Sequence, residues 1–381
     1  MLVRSTGALI ILMAWTSITL EAQDTALWYF GTYTKDVLVW DEASEEIVGR
    51  IEMGHDIPAA IVTNERKNRL YVRDATALYM ELVDLEKNEV VDEFTLSQGN
   101  VNVRINSFAP HPSDEKAVML VKRYTKLRDR YVVEGPFLLE YDLVNKTVSD
   151  TIPWPDGQER ESLNFRYSPD GETLYMFTRD IIALDANSYE EVDRWQISTP
   201  IEAGLGRTSF GTASEPYDEE GVATSLFRMT DPAQNRRMMG IARVRLSEKE
   251  VDFYTLGESE PVGNFSLAPG GDKAYGLFTQ IGEYEFWEFD LVNRRVSKRV
   301  PFAGRPRMSL AVSADGERLF VYNAGNTIDV YDSTTLMFVK QIVFDEDTTT
   351  EVVIPQTGNF TPVSYTHLRA HETSLHLVCR L

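Results

Sequence analysis

The feature that most constrains this chain is a short motif that recurs along most of its length. In each copy an apolar residue and an aspartate lead into a polar turn, and alternating apolar and polar residues follow. The copies recur with a period in the low forties, interrupted by two longer intervals, at Asp41, Asp84, Asp142, Asp185, Asp290 and Asp332, with Arg245 in the remaining slot. A period of this length made of short strands is typical of the four-stranded blades of a β-propeller. We interpret the aspartates as caps of their own turns rather than as a carboxylate array.

A second marker lies between these motifs and supports the same interpretation. Tight turns precede short strands at 64–68, 168–171, 268–271 and 313–316, with weaker copies at 111–115 and 215–221. In the copy at 168–171, Pro169 fixes φ at the first corner and Gly171 supplies a positive φ. Each unit therefore reads as four strands joined by three connections, and no amphipathic helix is predicted among them.

The two ends of the repeat predict how the ring closes. The chain opens with only three strands, over 27–30, 37–40 and 47–53, and ends with one strand over 350–354. Pairing the last strand with the first three completes a blade and removes two exposed sheet edges. We therefore predict an all-β fold, a seven-bladed β-propeller over residues 23–362. Six or eight blades stay open as alternatives, because the unit around 215–257 departs from the pattern.

The residues outside the repeat have a different character. Residues 1–22 combine Arg4, a short apolar run and a small residue at the cut, which predicts a secretory signal peptide and a periplasmic or secreted protein. Residues 363–381 resemble the translation of a sequencing adapter, so we interpret them as a non-native read-through tail. This tail holds the sole cysteine, Cys379, and three of the five histidines. Without it the chain has no thiol nucleophile and no disulfide, and its histidines are His55 and His111.

The charge balance narrows the choice of partners. The 59 acidic residues outnumber the 38 basic ones, which gives a net charge of −21. Such a field repels phosphate backbones, so it argues against nucleic acid and favours a cationic ligand or partner. The sequence has no Gly-x-Ser-x-Gly elbow, Walker loop or HExxH helix, so we assign no catalytic residue and no metal ligand. The acidic composition leaves a calcium site open, although the sequence has no EF-hand loop.

The loops that join one blade to the next converge around the axis of a propeller, where function is often carried on a rigid scaffold. These loops hold a candidate ring able to bind an anionic group or partner carboxylates, made of His55, Asp56, Arg104, Arg207 and Arg305. The alternative is that these are solvated loop charges paired with neighbouring glutamates.

The longest connection between the second and third strands of a blade, residues 122–136, is basic and aromatic in an otherwise acidic protein. An insertion that departs from a repeat is a place where a partner surface is built. We predict that this surface is made by Arg123, Tyr124, Arg128, Asp129 and Tyr131. The alternative is a β-hairpin extension that only packs on a neighbouring blade. A second insertion, at 229–238, lies at the equivalent point two blades later.

A family resemblance enters at these insertions. Residues 123–136, and 127–133 in particular, are similar to the propeller (β) subunit of quinohemoprotein amine dehydrogenase, within the YVTN-type group of seven-bladed propellers. The similarity extends to 168–175, 231–233, 328–336 and 345–356. In that family a small subunit carries a tryptophylquinone, another subunit carries haem, and the complex oxidises primary amines in the periplasm. The resemblance implies that this chain is a cofactor-free scaffold and docking subunit for such quinone-bearing and haem-bearing partners.

Two other functions stay open at this point. One is a stand-alone propeller of the YVTN type that binds a small ligand or a protein. The other is an enzyme, because residues 30–34 resemble lactonase propellers; that function requires a carboxylate, histidine or metal constellation in the channel. No position matches a motif to which a catalytic role can be assigned.

Overall fold

The computed structural model describes residues 25–197, 208–210, 215–231, 233–323 and 325–356, and for 208–210 it describes the backbone alone. The predicted signal peptide, the predicted tail and Arg207 lie outside these residues. The described residues form 28 β-strands and their turns, with no helix among them. The strands make seven four-stranded antiparallel sheets, arranged as the blades of a β-propeller. The predicted fold class and blade number are confirmed.

Each blade runs from an innermost strand beside the ring axis to a second strand. The innermost strands of blades 1 to 7 are β28 (Thr348–Gln356), β4 (Pro58–Thr63), β8 (Val101–Pro110), β12 (Asn164–Tyr167), β16 (Thr208–Phe210), β20 (Val262–Leu267) and β24 (Ser309–Val312). The second strands, in the same order, are β1 (Thr25–Thr32), β5 (Arg69–Asp74), β9 (Lys116–Lys126), β13 (Thr173–Phe177), β17 (Val222–Asp231), β21 (Lys273–Gln280) and β25 (Arg318–Tyr322).

The outer half of each blade is made of two further strands. The third strands are β2 (Asp36–Asp41), β6 (Met80–Asp84), β10 (Tyr131–Asp142), β14 (Ile181–Asp185), β18 (Arg236–Arg245), β22 (Glu283–Asp290) and β26 (Thr327–Asp332). The outermost strands are β3 (Glu46–Glu52), β7 (Glu89–Phe94), β11 (Thr147–Ile152), β15 (Glu191–Trp195), β19 (Glu250–Glu258), β23 (Arg295–Pro301) and β27 (Phe338–Val343).

The ring closes through the two ends of the repeat, as the sequence predicts. Strand β28 pairs antiparallel with β1 over their whole lengths, and Trp28 lies opposite Val353. Blade 1 therefore takes three strands from the beginning of the propeller and one from its end. Apolar side chains then fill the spaces between neighbouring blades; at the seam between blades 1 and 7, Trp28 and Trp40 meet the ring of Phe320 edge-on at 5.3 and 5.6 Å.

The repeating aspartates cap the turns between the third and outermost strands. Their carboxylates accept backbone N–H bonds from residues two or three positions later, at Asp41, Asp84, Asp142, Asp185, Asp290 and Asp332. These bonds hold the pKa of Asp142 and of Asp185 below the ordinary value. Because the bonds stay within each turn, the repeat is a structural signal.

The alternating strand directions give the ring two different ends. We call one end the loop face; it carries the connections from the outermost strand of one blade to the innermost strand of the next, and the hairpins between second and third strands. We call the other end the turn face; it carries the first-to-second connections and the aspartate turns. His55 lies at the loop face and His111 at the turn face, so the two histidines are far from a shared site.

Candidate functional site

The most prominent departure from the regular ring is a projection from blade 3. Strands β9 and β10 continue beyond the Val121–Phe137 pair, and Tyr131 lies opposite Lys126 near the tip. A β-bulge at the base separates this extension from the blade proper. We call residues 122–134 the arm. Its five residues on β9 correspond to an extension of about 16 Å at the usual rise per residue.

The arm is a hairpin closed by a tight turn. The N–H of Leu127 donates to the carbonyl of Arg130 at 2.8 Å, which leaves Arg128 and Asp129 as the two loop residues. On the other side of β9, Val101 of β8 pairs with Thr125, so a third strand supports the arm. The segment that the sequence predicts as a connection is therefore mostly regular strand.

The arm exposes large apolar side chains that the described residues leave partly uncovered. Tyr131 is 56% exposed, Val133 50%, Val132 37% and Leu127 37%. β-Branched and aromatic residues favour strands, which explains why this segment extends the hairpin. Clustered exposure of this kind marks an interaction surface more often than scattered single residues do. Among the described residues, none of these four side chains belongs to the hydrophobic clusters that fill the spaces between blades.

The charges of the arm are opposite in sign to those of the whole chain. Residues 122–134 hold five basic side chains and two acidic ones within a chain of net charge −21. Arg123 lies 4.0 Å from Glu134, and Arg130 lies 3.4 Å from Asp129. Lys126 and Arg128, in contrast, form no ion pair with any residue that the structure describes. The arm is thus a cationic surface with charge left over for a partner.

The five residues predicted as a partner surface all lie on the arm. Arg123, Arg128, Asp129 and Tyr131 are exposed, while Tyr124 is half-buried. Tyr124 is covered by Arg104, whose guanidinium carbon lies 5.3 Å from its ring centroid. That Tyr124 is half-buried beneath a cation indicates that it helps to hold the base of the arm. The binding role of this surface stays a prediction.

The hairpin at the second predicted insertion has a different character. Strands β17 and β18 are also long, but Asp231 closes their turn by accepting the N–H of Ala233 at 3.0 Å and lies 3.4 Å from Arg236. Asp231 and Met229 are buried, so this hairpin packs onto the ring. Of the two insertions, only the arm has large exposed apolar residues among its described side chains.

The residues predicted as a ring at the loop face do not converge on the axis. His55 stacks on Tyr79 at 3.7 Å and its Nε2 lies 3.0 Å from Glu93, which belongs to the outermost strand of blade 2. Asp56 lies 3.5 Å from Nζ of Lys35. Both side chains are therefore engaged with neighbouring loops and strands, as the alternative of paired loop charges describes.

The arginines of the predicted ring are also engaged locally. Arg104 stacks on Tyr124, and Arg305 donates to Thr327 and lies 3.3 Å from Asp329 of β26. Arg207 lies outside the described residues. His55, Asp56, Arg104 and Arg305 do not line the central cavity. That these residues bind an anion together stays a prediction.

A central cavity of about 1480 Å³ follows the ring axis instead. The segment 215–220 crosses it near the turn face, because Glu215 accepts the N–H of Leu267 in blade 6 at 3.1 Å and the hydroxyl of Tyr217 donates to Val312 in blade 7 at 3.1 Å. The wall on blade 4 holds Arg166, which donates to the carbonyl of Val222 at 3.0 Å.

Two carboxyl groups in this cavity have altered proton affinity. Burial raises the pKa of Glu215 to about 8, although the Leu267 N–H bond partly opposes the shift. Burial also raises the pKa of Glu351, whose Oε1 accepts the hydroxyl of Tyr322 at 3.0 Å. Neither carboxyl forms an ion pair with a described residue. The cavity can therefore offer the neutral carboxyl group of Glu215 as a hydrogen-bond donor near neutral pH.

The sequence does not predict these two carboxyl groups as site residues. Glu215 lies in the weaker turn copy at 215–221, where three extra residues replace the usual tight turn, and that departure was the available signal. Glu351 lies in the closing strand, where nothing in the alternation distinguishes it from a solvent-facing residue. Among the described side chains, no three His, Cys, Asp or Glu residues are grouped so that they could hold a metal ion. The described segments also include no helix that is long and apolar enough to span a membrane.

Comparison with known proteins identifies the architecture. No family model matches the sequence, and no curated protein matches it. Among solved structures, apo AztD from Citrobacter koseri is 14% identical with a TM-score of 0.52, and the alignment covers 88% of this chain and 99% of that one. The dihydro-heme d1 dehydrogenase NirN is 13% identical with a TM-score of 0.51, over 91% and 83% of the two chains. A functionally unknown protein from Desulfotomaculum acetoxidans is 13% identical with a TM-score of 0.52, over 86% and 98%. At these identities the likeness shows the fold alone, and it fits the broad group of seven-bladed propellers.

Proposed function

We propose that this chain is an exported docking subunit, a propeller that binds a partner protein through its arm. The observation that carries the proposal is the arm itself, where four exposed apolar side chains are surrounded by uncompensated positive charge. Burying such side chains against a partner is favourable, and the charges would orient an acidic partner and speed its association. A projecting hairpin with exposed apolar residues is otherwise a liability for a secreted protein.

The finer form of the proposal follows from the sequence resemblance to the propeller subunit of quinohemoprotein amine dehydrogenase. In this form the partners are a tryptophylquinone-bearing subunit and a haem-bearing subunit, and this chain supplies scaffold and docking surface without a cofactor. The resemblance is most specific at 127–133, which is the tip of the arm. The stretch with the most specific resemblance to a subunit of a complex therefore includes the exposed apolar side chains of the arm.

Co-purification from the native host tests this proposal. We expect tagged wild-type chain to elute with a redox subunit, visible as haem absorbance or quinone staining, and the double variant Tyr131→Ser, Val133→Ser to elute without it. The matched control is Val48→Ser, which removes an exposed valine from the outermost strand of blade 1. Elution of the wild-type chain as a lone monomer would overturn the docking proposal.

A stand-alone ligand-binding propeller is the second candidate, and the central cavity favours it. The cavity holds Glu215 and Glu351 without ion pairs to described residues. Each accepts one described hydrogen bond, from Leu267 and from Tyr322 respectively, so each carboxyl group has further hydrogen-bonding capacity for a polar ligand. The same purification separates the two functions. A monomer that carries a small molecule in its channel would support this second candidate over the first.

A further inference from the structure

The outer edge of the arm is an open sheet edge. Strand β11 pairs with β10 only from Leu138 to Asp142, so Tyr131 to Glu134 have a strand partner on the β9 side alone. In every other blade the outermost strand pairs with the third strand along most of its length. The arm therefore combines exposed side chains with exposed backbone donors and acceptors.

The hydrogen-bonding register shows which backbone groups face outward. The Leu127–Arg130 pair closes the turn with a hydrogen bond, and bonded and non-bonded pairs alternate along an antiparallel ladder. The Lys126–Tyr131 pair is therefore non-bonded, which agrees with the N–H of Lys126 donating to Asn100 on the far side of β9 at 2.8 Å. By the same alternation, the N–H and C=O groups of Tyr131 and Val133 point away from β9.

We propose that the arm binds its partner by strand addition, with an extended acidic and apolar segment of the partner protein pairing along Tyr131 and Val133. This inference rests on the proposed docking function and names the mode of binding and the chemistry of the partner. The outward N–H and C=O groups give the segment its register, and the exposed valines and Tyr131 receive its apolar side chains.

The charges of the arm select the other side chains of the segment. Lys126 lies opposite Tyr131 and Arg123 opposite Glu134, so basic groups flank both faces of the edge. Arg128 and Arg130 add charge at the tip. Alternating side chains of an added strand would contact the two faces in turn, so acidic residues spaced by apolar ones fit both the charge and the pleat. Phosphate-bearing surfaces, in contrast, are repelled by the rest of this chain.

A random dodecapeptide library displayed on phage tests the inference with the full chain as bait. The variant Val133→Pro removes one outward N–H without removing a bond to β9, and Val133→Thr is the matched control because it keeps the N–H and a β-branched side chain. We expect enriched peptides without proline, in which acidic residues alternate with apolar ones. Their affinity for Val133→Thr should match wild type, and their affinity for Val133→Pro should fall about tenfold, the effect of about one hydrogen bond.

Three results would overturn strand addition. One is enrichment of basic or proline-containing peptides, another is equal binding to Val133→Pro, and the third is no enrichment over the Tyr131→Ser, Val133→Ser variant. If Val133→Pro does not fold, an enriched peptide with N-methyl groups at alternate positions replaces it, because methylation removes the peptide donors and leaves the protein intact. Wild-type dimers that Val133→Pro converts to monomers would show instead that a second copy occupies the edge.

The two proposals fail separately. A redox subunit that co-purifies with Val133→Pro as well as with wild type, but is lost with the double serine variant, would contradict strand addition and leave the docking function standing. If the redox subunit still co-purifies with both variants, the result would contradict the docking function itself.

Discussion

Glu42 is a fully buried carboxyl group at the seam where the ring closes. It accepts the indole N–H of Trp28 at 3.1 Å and the backbone N–H of Ala314 in blade 7 at 2.8 Å, and Nη2 of Arg318 lies 3.6 Å away. Arg318 is itself shared with Glu45 at 2.8 Å. One side chain thus connects the turn after β2 to the first turn of blade 7.

Burial raises the pKa of Glu42 from 4.5 to about 7, against the opposing effect of the Trp28 and Ala314 bonds and of Arg318. Between these two values the folded chain holds a proton on Glu42 that the unfolded chain has released. The free energy of unfolding therefore falls as pH rises through this window, by about 3 kcal/mol from this group. Below and above the window, Glu42 adds no pH dependence to the free energy of unfolding.

The variant Glu42→Gln should lose this part of the pH dependence. Its side chain is neutral at every pH, so we expect the fall in unfolding free energy between about pH 5 and about pH 8 to shrink by about 3 kcal/mol. The amide keeps one acceptor for two donors, so the variant should also be less stable than wild type by about 1–2 kcal/mol near pH 5. Denaturant titrations at both pH values measure this, with the exposed Glu46→Gln as the control. An unchanged slope in Glu42→Gln would show that another group carries the dependence.

At the scale of the strand, the aspartate turns are coupled to β-bulges. In six blades the register between the third and outermost strands shifts just before the aspartate, as at Val39/Trp40 and Val330/Tyr331. In blade 5, where Arg245 takes the aspartate slot, the shift lies instead at Met239/Gly240. The irregular unit in the sequence is thus a blade with its bulge in another place.

Gly240 is required at that displaced bulge. A Cβ atom added there would lie 1.8 Å from the carbonyl oxygen of Tyr254 and 2.6 Å from the ring of Phe227. Gly240→Ala must therefore push β18 and β19 apart, and we expect a loss of about 3 kcal/mol in unfolding free energy. Gly263→Ala is the matched strand control, since nothing lies within 4 Å of its added Cβ, and it should change stability by less than about 1 kcal/mol. Equal stability of the two variants would contradict the described β18–β19 approach.

The strand order could be predicted from the sequence because the two turn markers recur along the chain. The aspartate turns place the third and outermost strands, and the tight turns such as 168–171 place the first and second. The closing strand at 350–354 was predictable because the first unit lacked an innermost strand. The bulge at Gly240 could not be predicted, since a glycine in a strand indicates either a bulge or a close backbone approach and the sequence alone does not distinguish them.

At the scale of the molecule, only part of the candidate site could be predicted from the sequence. The arm was found because its charge and aromatic content depart from the repeat. The directions of the His55 and Arg305 side chains could not be predicted from the sequence, because a loop residue near the axis can turn outward to a carboxylate such as Glu93 or Asp329. The sequence also does not predict the carboxyl groups of Glu215 and Glu351 as site residues, because the cavity that both line forms only when the blades close into a ring.

Positively and negatively charged surfaces lie on different parts of the molecule. The ring body is strongly acidic, whereas the arm is basic and projects from the loop face of blade 3. An acidic partner is repelled from most of the surface and attracted to the arm, so the charge pattern favours one orientation of approach. Ile281, fully exposed on the β21–β22 hairpin, lies at the same face as the arm.

The most direct test of the docking account is photo-cross-linking in the native host. A photoreactive phenylalanine at position 131 places the reactive group on the exposed tip of the arm, and the same residue at position 48 serves as the control on the rim of blade 1. The account predicts that position 131 cross-links to one defined partner that carries a quinone or a haem, and that position 48 does not. Cross-links of equal yield at both positions, or none at position 131, would contradict it.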